Sequence, residues 1–282
     1  MRARPFMQVD VFPDHPFCGN PVAVVLDASG LQDSEMQTIA RWTNLSETTF
    51  VLAPDTPGAD YRLRIFTPAS ELPFAGHPTL GSAYAVAQAG IATPRNGRLV
   101  QQCASGLVPI RFEARGERVW LQLPAARATP LSEPHRRRLA AALEIDCGDD
   151  VCAIDVGPIW ITVRAASAQA VLAIRPDQAS IAALSRELEV TGVTVFGEHP
   201  DGDARYEVRS FAPACDVPED PVCGSGNGCV AAMLARGGDR RPYLARQGRA
   251  IGRDGVVAAR FEEAGIEIGG AATIRVRGEL FA

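Results

Sequence analysis

The sequence contains no lysine: all 28 basic side chains are arginine. That absence removes every mechanism built on a lysine amine, including Schiff-base aldol chemistry, a pyridoxal-phosphate aldimine, a Ser-Lys dyad and the GxxxxGK[ST] phosphate loop. Histidine is scarce as well. His15, His77, His135 and His199, three of them followed by proline, offer no metal-ligand spacing. The seven cysteines, Cys18, Cys103, Cys147, Cys152, Cys215, Cys223 and Cys229, contain no CxxC. No structural or catalytic metal is expected from such a set. An odd number of cysteines without paired spacing reads as mostly free thiols in a reducing, cytoplasmic compartment.

A basic excess is also missing. The net charge is −5, which argues against nucleic acid as a partner because phosphate neutralisation needs a basic surface. Arg136, Arg137 and Arg138 form the longest basic run and are expected on a solvated helix face. Long apolar runs are lacking too. The first twelve residues are partly basic but have no apolar core of roughly 7 to 15 residues, as a secretory signal would. The longest uncharged stretch, Leu72 to Pro94, is interrupted by Pro73, His77 and Pro78, so no membrane partner is expected.

What is present is an ordinary globular composition, 46% hydrophobic and 22% charged. At 282 residues the chain exceeds the usual single core of roughly 100 to 200, which suggests two domains. An internal repeat supports that division. Sliding the chain by 145 positions lays Ala59–Pro73 over Ala204–Pro218 with seven identities in fifteen. Tyr61, Arg64, Phe66 and Pro68 fall on Tyr206, Arg209, Phe211 and Pro213. The same offset sets Gly81 on Gly226, Thr49 on Thr194 and Met36 on Ile181.

Each half reads as mostly strands with two helices. QVDVF, PVAVVL, SETTFVL and YRLRIF are strand-like in the first half; WITVR, VTVFGE and YEVRSF answer them in the second. Ser34 and Gln37 fit a capping box that opens SEMQTIARW, and PDQASIAALSREL is the counterpart helix. TLGSAYAVAQAG and GNGCVAAMLARGG are nearly all small and apolar, the mark of buried helices. The expected fold is α+β: two pseudo-twofold-related halves, each wrapping strands around a central apolar helix, with a cleft between them.

Both buried helices follow glycine-rich turns, PFAGHPTLG and EDPVCGSGNG. Glycines permit close backbone approach, and helix N-termini present unpaired N–H groups, so the paired turns form a candidate carboxylate receptor. Tight turning alone would explain either cluster. The titratable groups are asymmetric: Glu47 has Gly192 at its repeat position, and His77 and the Glu219/Asp220 pair have no ionisable counterpart. A carboxylate among apolar neighbours is raised from about 4.3 towards the range of a general base. Glu47 fits that role, or that of a simple turn residue. Cys223 at the mouth of the second helix is expected to have its thiol pKa lowered by the helix terminus, or to be a passive small side chain. Ser225 and Asn227 either bind a ligand or cap the helix.

These motifs resemble the PhzF-like family, named for a phenazine-biosynthesis isomerase with the diaminopimelate-epimerase fold. The likeness runs through GNPVAVV (Gly19 to Val25), NLSETTFV (Asn44 to Val51), IFTPASELPFAGHPTLG (Ile65 to Gly81), RSFAP with EDPVCGSGNG, and RQGRAIGR. It implies two domains, here 1–122 with 272–282 and 123–271, each a sheet rolled around a central helix. It also implies a homodimer and a cofactor-independent isomerase of a small carboxylic acid. Residue by residue, Glu47 matches the family's acid/base, and His77 and Asp220 match flanking polar groups that assist proton movement. Gly76, Gly224, Ser225 and Gly226 match positions around the substrate carboxylate, with Asn20 and Cys223 as further substrate contacts. Cys223 departs from the pattern. PhzF-like chains often have Thr there, and related epimerases and proline racemases carry one of two catalytic cysteines. Ala75 and Gly76 stand where the second cysteine would be, which argues against a two-thiol racemase. A one-thiol Cys223-dependent epimerase or racemase, with Glu47 or His77 on the opposite face, is the alternative enzyme, and a non-catalytic small-molecule binding protein the alternative of another class.

Overall fold

Valine-rich runs become the first strands. β1 (Ala3–Val11) pairs antiparallel with β2 (Asn20–Val25), then α1 (Asp33–Thr43) crosses over so that β3 (Glu47–Leu52) lies parallel to β2. A parallel neighbour needs such a crossover, because a tight turn can only reverse the chain. β4 (Tyr61–Phe66) and the two-residue β5 (Glu71–Leu72) follow, then α2 (Gly76–Gln88), β6 (Arg98–Cys103), β7 (Gly106–Phe112) and β8 (Val119–Gln122). The computed structural model describes residues 2–113 and 118–282.

The next elements are β9 (Arg127–Pro130), α3 (Glu133–Leu143), β10 (Cys152–Asp155), β11 (Ile159–Arg164), α4 (Ala168–Ala173) and α5 (Gln178–Glu187). They lead to β12 (Gly192–Glu198), β13 (Tyr206–Ala212), β14 (Val217–Asp220) and α6 (Gly224–Arg236). β15 (Tyr243–Gln247), β16 (Gly255–Glu262) and β17 (Gly265–Gly270) come next, and β18 (Ala272–Phe281) closes the chain by pairing antiparallel with β1. Two compact units result, Met1–Gln122 with Gly269–Ala282, and Leu123–Ile268.

In the first unit α2 lies against β1, β2, β3, β8 and β18, so the strands curl around it. Nine of its thirteen residues are buried, and a fully withdrawn side chain such as Leu80 contributes roughly 2 kcal/mol. Gly81 is the point of closest approach. A Cβ there would stand 2.5 Å from Val22 Cγ1 and 2.8 Å from Val11 Cγ2, so only glycine lets the helix sit this deep. The second unit wraps α6 with β10, β11, β12 and β16 in the same way. Its Gly226 faces Thr194 Oγ1 and Ser210 Oγ, each 2.6 Å from a hypothetical Cβ.

The repeat extends to hydrogen-bond register. Thr49 opposes Ile65 in the first unit, and Thr194 opposes Ser210 in the second, each residue shifted by 145. α5 answers α1, both packing outside their sheet. Met36 and Ala40 join Val25, Phe50 and Phe66 on one side; Ile181 and Leu184 join Val163, Val193 and Phe211 on the other.

Three sequence readings change. α1 begins at Asp33, with Gln32 as N-cap and its N–H donated to Glu35 Oε2 at 2.8 Å, so the expected Ser34/Gln37 box is displaced. Ser34 lies inside the first turn, where its carbonyl accepts from Thr38 Oγ1. The second unit also holds α3 and α4, two helices beyond the expected pair. Finally, the glycine clusters form the first turns of α2 and α6 as well as preceding them, with Ala75 and Cys223 as N-caps. The arginine run falls on α3, where Arg136 and Arg137 reach Glu133 and Arg138 reaches Glu187.

Candidate active site

The residues singled out from sequence fall in two groups. Asn20, Glu47, Gly76 and His77 belong to the first unit; Asp220, Cys223, Gly224, Ser225 and Gly226 belong to the second.

Glu47 is the first residue of β3 and His77 the second of α2. The roll of the sheet around the helix brings His77 Nε2 to 3.2 Å from Glu47 Oε2, with side chains only 5% and 14% exposed. Burial holds the imidazole far below its usual range, at about 3, against a smaller opposing hydrogen bond to the backbone of Pro21. The ring is therefore neutral, and its approach to Glu47 is a close polar contact rather than a salt bridge.

A neutral imidazole has one donor and one acceptor nitrogen. Asn20 Nδ2 stands 3.3 Å from His77 Nδ1. When that amide donates to Nδ1, the ring proton lies on Nε2, the nitrogen nearer Glu47. When Nδ1 carries the proton, Nε2 presents its lone pair on the Glu47 side instead. Either tautomer leaves a neutral ring nitrogen 3.2 Å from Glu47. Asn20 is fully buried beside the ring, and Gly76, half-buried at the start of α2, immediately precedes His77.

The second group surrounds the N-terminus of α6. Asp220 ends β14, and its Oδ1 accepts from the Val222 N–H at 3.0 Å. Burial pushes its carboxyl up to about 6, opposed by the hydrogen bonds from Val222 and Cys223 and reinforced by the nearby Glu219. Cys223 caps the helix, its Sγ accepting the Gly226 N–H at 3.2 Å. The expected lowering of its thiol pKa does not occur. Burial and the adjacent Asp220 raise it well above the ordinary thiol value, outweighing the Gly226 amide and Ser225. A helix terminus acts through partial charges, and full desolvation of a thiolate is the larger effect.

Ser225 Oγ lies 3.5 Å from Cys223 Sγ and accepts the indole N–H of Trp160 at 3.0 Å. Because an indole only donates, the Ser225 hydroxyl keeps its own proton for Cys223 or a ligand. Asn227 proves structural: its amide donates to Cys223 O and to Gln247 Oε1, each at 2.8 Å. Gln247 Nε2 in turn donates to Asp220 O at 3.0 Å. Trp160 and Gln247 escaped the sequence reading. Gln247 lies in the RQGRAIGR motif, a signal that could have drawn attention to it; Trp160 had none.

Among the described residues no group of three or more His, Cys, Asp and Glu is arranged to hold a metal ion. No helix among them is long and apolar enough to cross a membrane. All seven cysteines are free.

The chain encloses a helix in a rolled sheet twice over, with a carboxylate–imidazole pair in one copy and a carboxyl beside a helix N-terminus in the other, and its relatives place it in a class of isomerases. The chain belongs to the phenazine biosynthesis-like (PhzC-PhzF) family, whose model matches residues 9–278. It is 37% identical to trans-2,3-dihydro-3-hydroxyanthranilate isomerase of Pseudomonas aeruginosa, across 92% of this chain and 91% of that one. It is 44% identical to antisense-enhancing sequence 1 of Schizosaccharomyces pombe, across 83% and 81%. The crystal structure of a PhzF-family phenazine biosynthesis protein from Bacillus anthracis superposes with a TM-score of 0.86 at 25% identity, covering all of both chains. A hydroxyproline epimerase from Agrobacterium vitis shares the fold alone, with a TM-score of 0.68 at 14% identity over 99% and 92% of the two chains.

Proposed function

We propose that this protein is a cofactor-independent isomerase that moves a proton within a small carboxylic acid, with Glu47 as the base. The observation that carries this reading is the 3.2 Å contact between Glu47 Oε2 and the buried, neutral His77 ring. An isomerase of this kind needs a base that is an anion before the first step and an acid after it. With a neutral ring this close, a small turn of either side chain lets His77 donate to the carboxylate or accept from the carboxyl.

In the proposed reaction Glu47 takes a proton from a carbon of the acid, leaving the electron pair delocalised as an enolate. The protonated Glu47, whose proton exchanges with solvent, then delivers a proton at another carbon, so the double bond moves and nothing is consumed. The enolate is stabilised by hydrogen bonds rather than by an electron sink. The amides of Gly224 and Ser225 in the first turn of α6, and the Ser225 hydroxyl, are assigned to the substrate carboxylate. Asp220, titrating at about 6, is poised to exchange a proton near neutral pH. Asn20 is assigned to orienting His77, and Cys223 to shaping the helix cap.

By kinship, trans-2,3-dihydro-3-hydroxyanthranilate is the first substrate to try, followed by amino, hydroxy and cyclic dienoic acids. Deuterium uptake from heavy water into the acid reads the proton transfer directly. Glu47→Gln should slow it by roughly a hundred- to ten-thousand-fold, the usual contribution of a general base. Uptake unchanged by that substitution would remove Glu47 from the mechanism. Binding of an acid with no exchange at all would make the protein a non-catalytic binder. A homodimer in the cytoplasm completes the proposal, and sedimentation of the purified protein checks the dimer.

A further inference from the structure

Arg64 and Arg209 occupy the same position in the repeat and do the same thing. Arg64 Nε and Nη2 grip the Glu71 carboxylate at 2.7 and 2.6 Å; Arg209 Nε and Nη2 grip Glu219 at 2.9 and 2.8 Å. Each guanidinium also sits over the phenylalanine two residues on, Phe66 at 5.1 Å and Phe211 at 4.9 Å. In both units the gripped carboxylate lies on the short strand, β5 or β14, that leads into the central helix.

The surroundings of the two clamps differ. Arg64 spends its remaining nitrogen on Asp33, a largely exposed carboxylate. Arg209 Nη1 instead donates to the carbonyls of Val171 and Ile174 at 3.2 and 2.8 Å, where α4 ends. The side chains of Arg209 and Glu219 are only 6% and 8% exposed. A surface pair of this kind contributes little, whereas a buried two-pronged pair with its spare donor satisfied is rigid and costly to break.

Glu219 is the immediate neighbour of Asp220. Successive strand residues point to opposite faces, so holding Glu219 towards α4 turns Asp220 the other way. There its carboxyl meets the Val222 N–H, and its own carbonyl receives Gln247. We propose that the Arg209–Glu219 bridge is the positioning pair for Asp220, holding the end of β14 in the one orientation that keeps this carboxyl against Val222 and Cys223. Its functional meaning rests on the role given to Asp220 in the proposed reaction.

The test reads Asp220 without a substrate. Protein carrying 13C at aspartate Cγ is titrated from about pH 4 to pH 8, with the Asp220 signal assigned by its loss in Asp220→Asn. Arg209→Gln removes a positive charge and leaves Glu219 uncompensated, so the Asp220 midpoint should rise. Glu219→Gln removes the negative neighbour, so it should fall. Shifts of at least about half a pH unit in opposite directions are expected. A mere loosening of the fold would let water in and lower both. Arg209→Lys keeps the charge and loses the fork; there the Val222 amide shift should cease to follow the Asp220 titration that it follows in the parent protein. Midpoints that move together or not at all, or a Val222 amide that still tracks Asp220 in Arg209→Lys, would overturn the proposal. Should Arg209→Gln not fold, Glu219→Gln and Arg209→Lys still decide it. A wrong assignment of the reaction would leave these titrations unchanged, and failed titrations would leave the Glu47 chemistry standing.

Discussion

Glu47 and Gly192 open corresponding strands 145 residues apart, and only the first position has room for a side chain. A Cβ at Gly192 would stand 2.1 Å from the carbonyl oxygen of Phe211 and 3.0 Å from Ala212 Cα. One copy of the plan therefore presents a carboxylate here, and the other is closed to one by its own backbone. The asymmetry of the two halves at this position is built into strand packing.

The smallest substitution tests this closure. In Gly192→Ala the added methyl meets backbone rather than a movable side chain, so β12 and β13 must separate. Overpacking of this kind costs about 1–3 kcal/mol, and a backbone contact lies at the upper end. Urea unfolding should show a midpoint lowered accordingly. A midpoint equal to that of the parent protein would mean that the strands have slack.

Acid should destabilise the protein through His77. Its folded pKa of about 3 lies below the unfolded value of 6.5, so between these pH values the unfolded chain binds more protons than the folded one. Stability from this group is complete above pH 6.5 and is lost as pH falls towards 3, with a slope of up to about 1.4 kcal/mol per pH unit. Asp220 acts in the opposite sense. Its pKa rises from 3.8 to about 6 on folding, so its contribution is present below 3.8 and lost as pH rises through 6. Comparing His77→Gln with the parent protein isolates the first effect. The stability difference between them should shrink by about 2 kcal/mol from pH 7 to pH 5. A difference independent of pH would show that the ring is not held neutral.

Much of this architecture was legible because it is written twice. The repeat aligned β3 with β12 and β4 with β13, and the apolar helices announced their burial through Ala, Gly and Val. Glu47 and His77 stood out as ionisable residues without a repeat counterpart. Other features depend on contacts that local sequence does not encode. Glu35 rather than Gln37 closes the cap of α1 because its carboxylate reaches back to the Gln32 N–H. The rise in the Cys223 pKa follows from its enclosure and from Asp220, while the neighbouring residues advertise only the helix terminus. Gln247 reaches Asp220 from a strand 27 residues away, which no spacing rule reveals.

The indole–hydroxyl contact between Trp160 and Ser225 should appear as a coupling in stability. Ser225→Ala leaves the buried indole N–H with no acceptor, a loss of about 1–3 kcal/mol. Trp160→Phe removes the donor, and the half-buried Ser225 hydroxyl can turn elsewhere. The double variant Trp160→Phe/Ser225→Ala should then cost less than the two single changes added together, by about 1 kcal/mol. Chemical denaturation of the four proteins closes the cycle. Simple additivity would mean that the indole does not hold this hydroxyl.

Thiol labelling separates the Glu-based reaction from a Cys-dependent one. A racemase thiol must be available as a thiolate, whereas Cys223 is buried and its pKa lies well above the ordinary value. The thiol form therefore dominates at neutral pH, and nucleophilic attack proceeds through the thiolate. Cys215 is also raised by burial, but it remains exposed to reagent. Brief treatment of the folded protein with iodoacetamide, followed by peptide mass spectrometry, should therefore modify Cys215 well before Cys223. Modification of Cys223 should accelerate only when the fold is opened with urea. Rapid modification of Cys223 in the folded protein, with loss of proton exchange and no effect of Glu47→Gln, would transfer the chemistry from the carboxylate to the thiol.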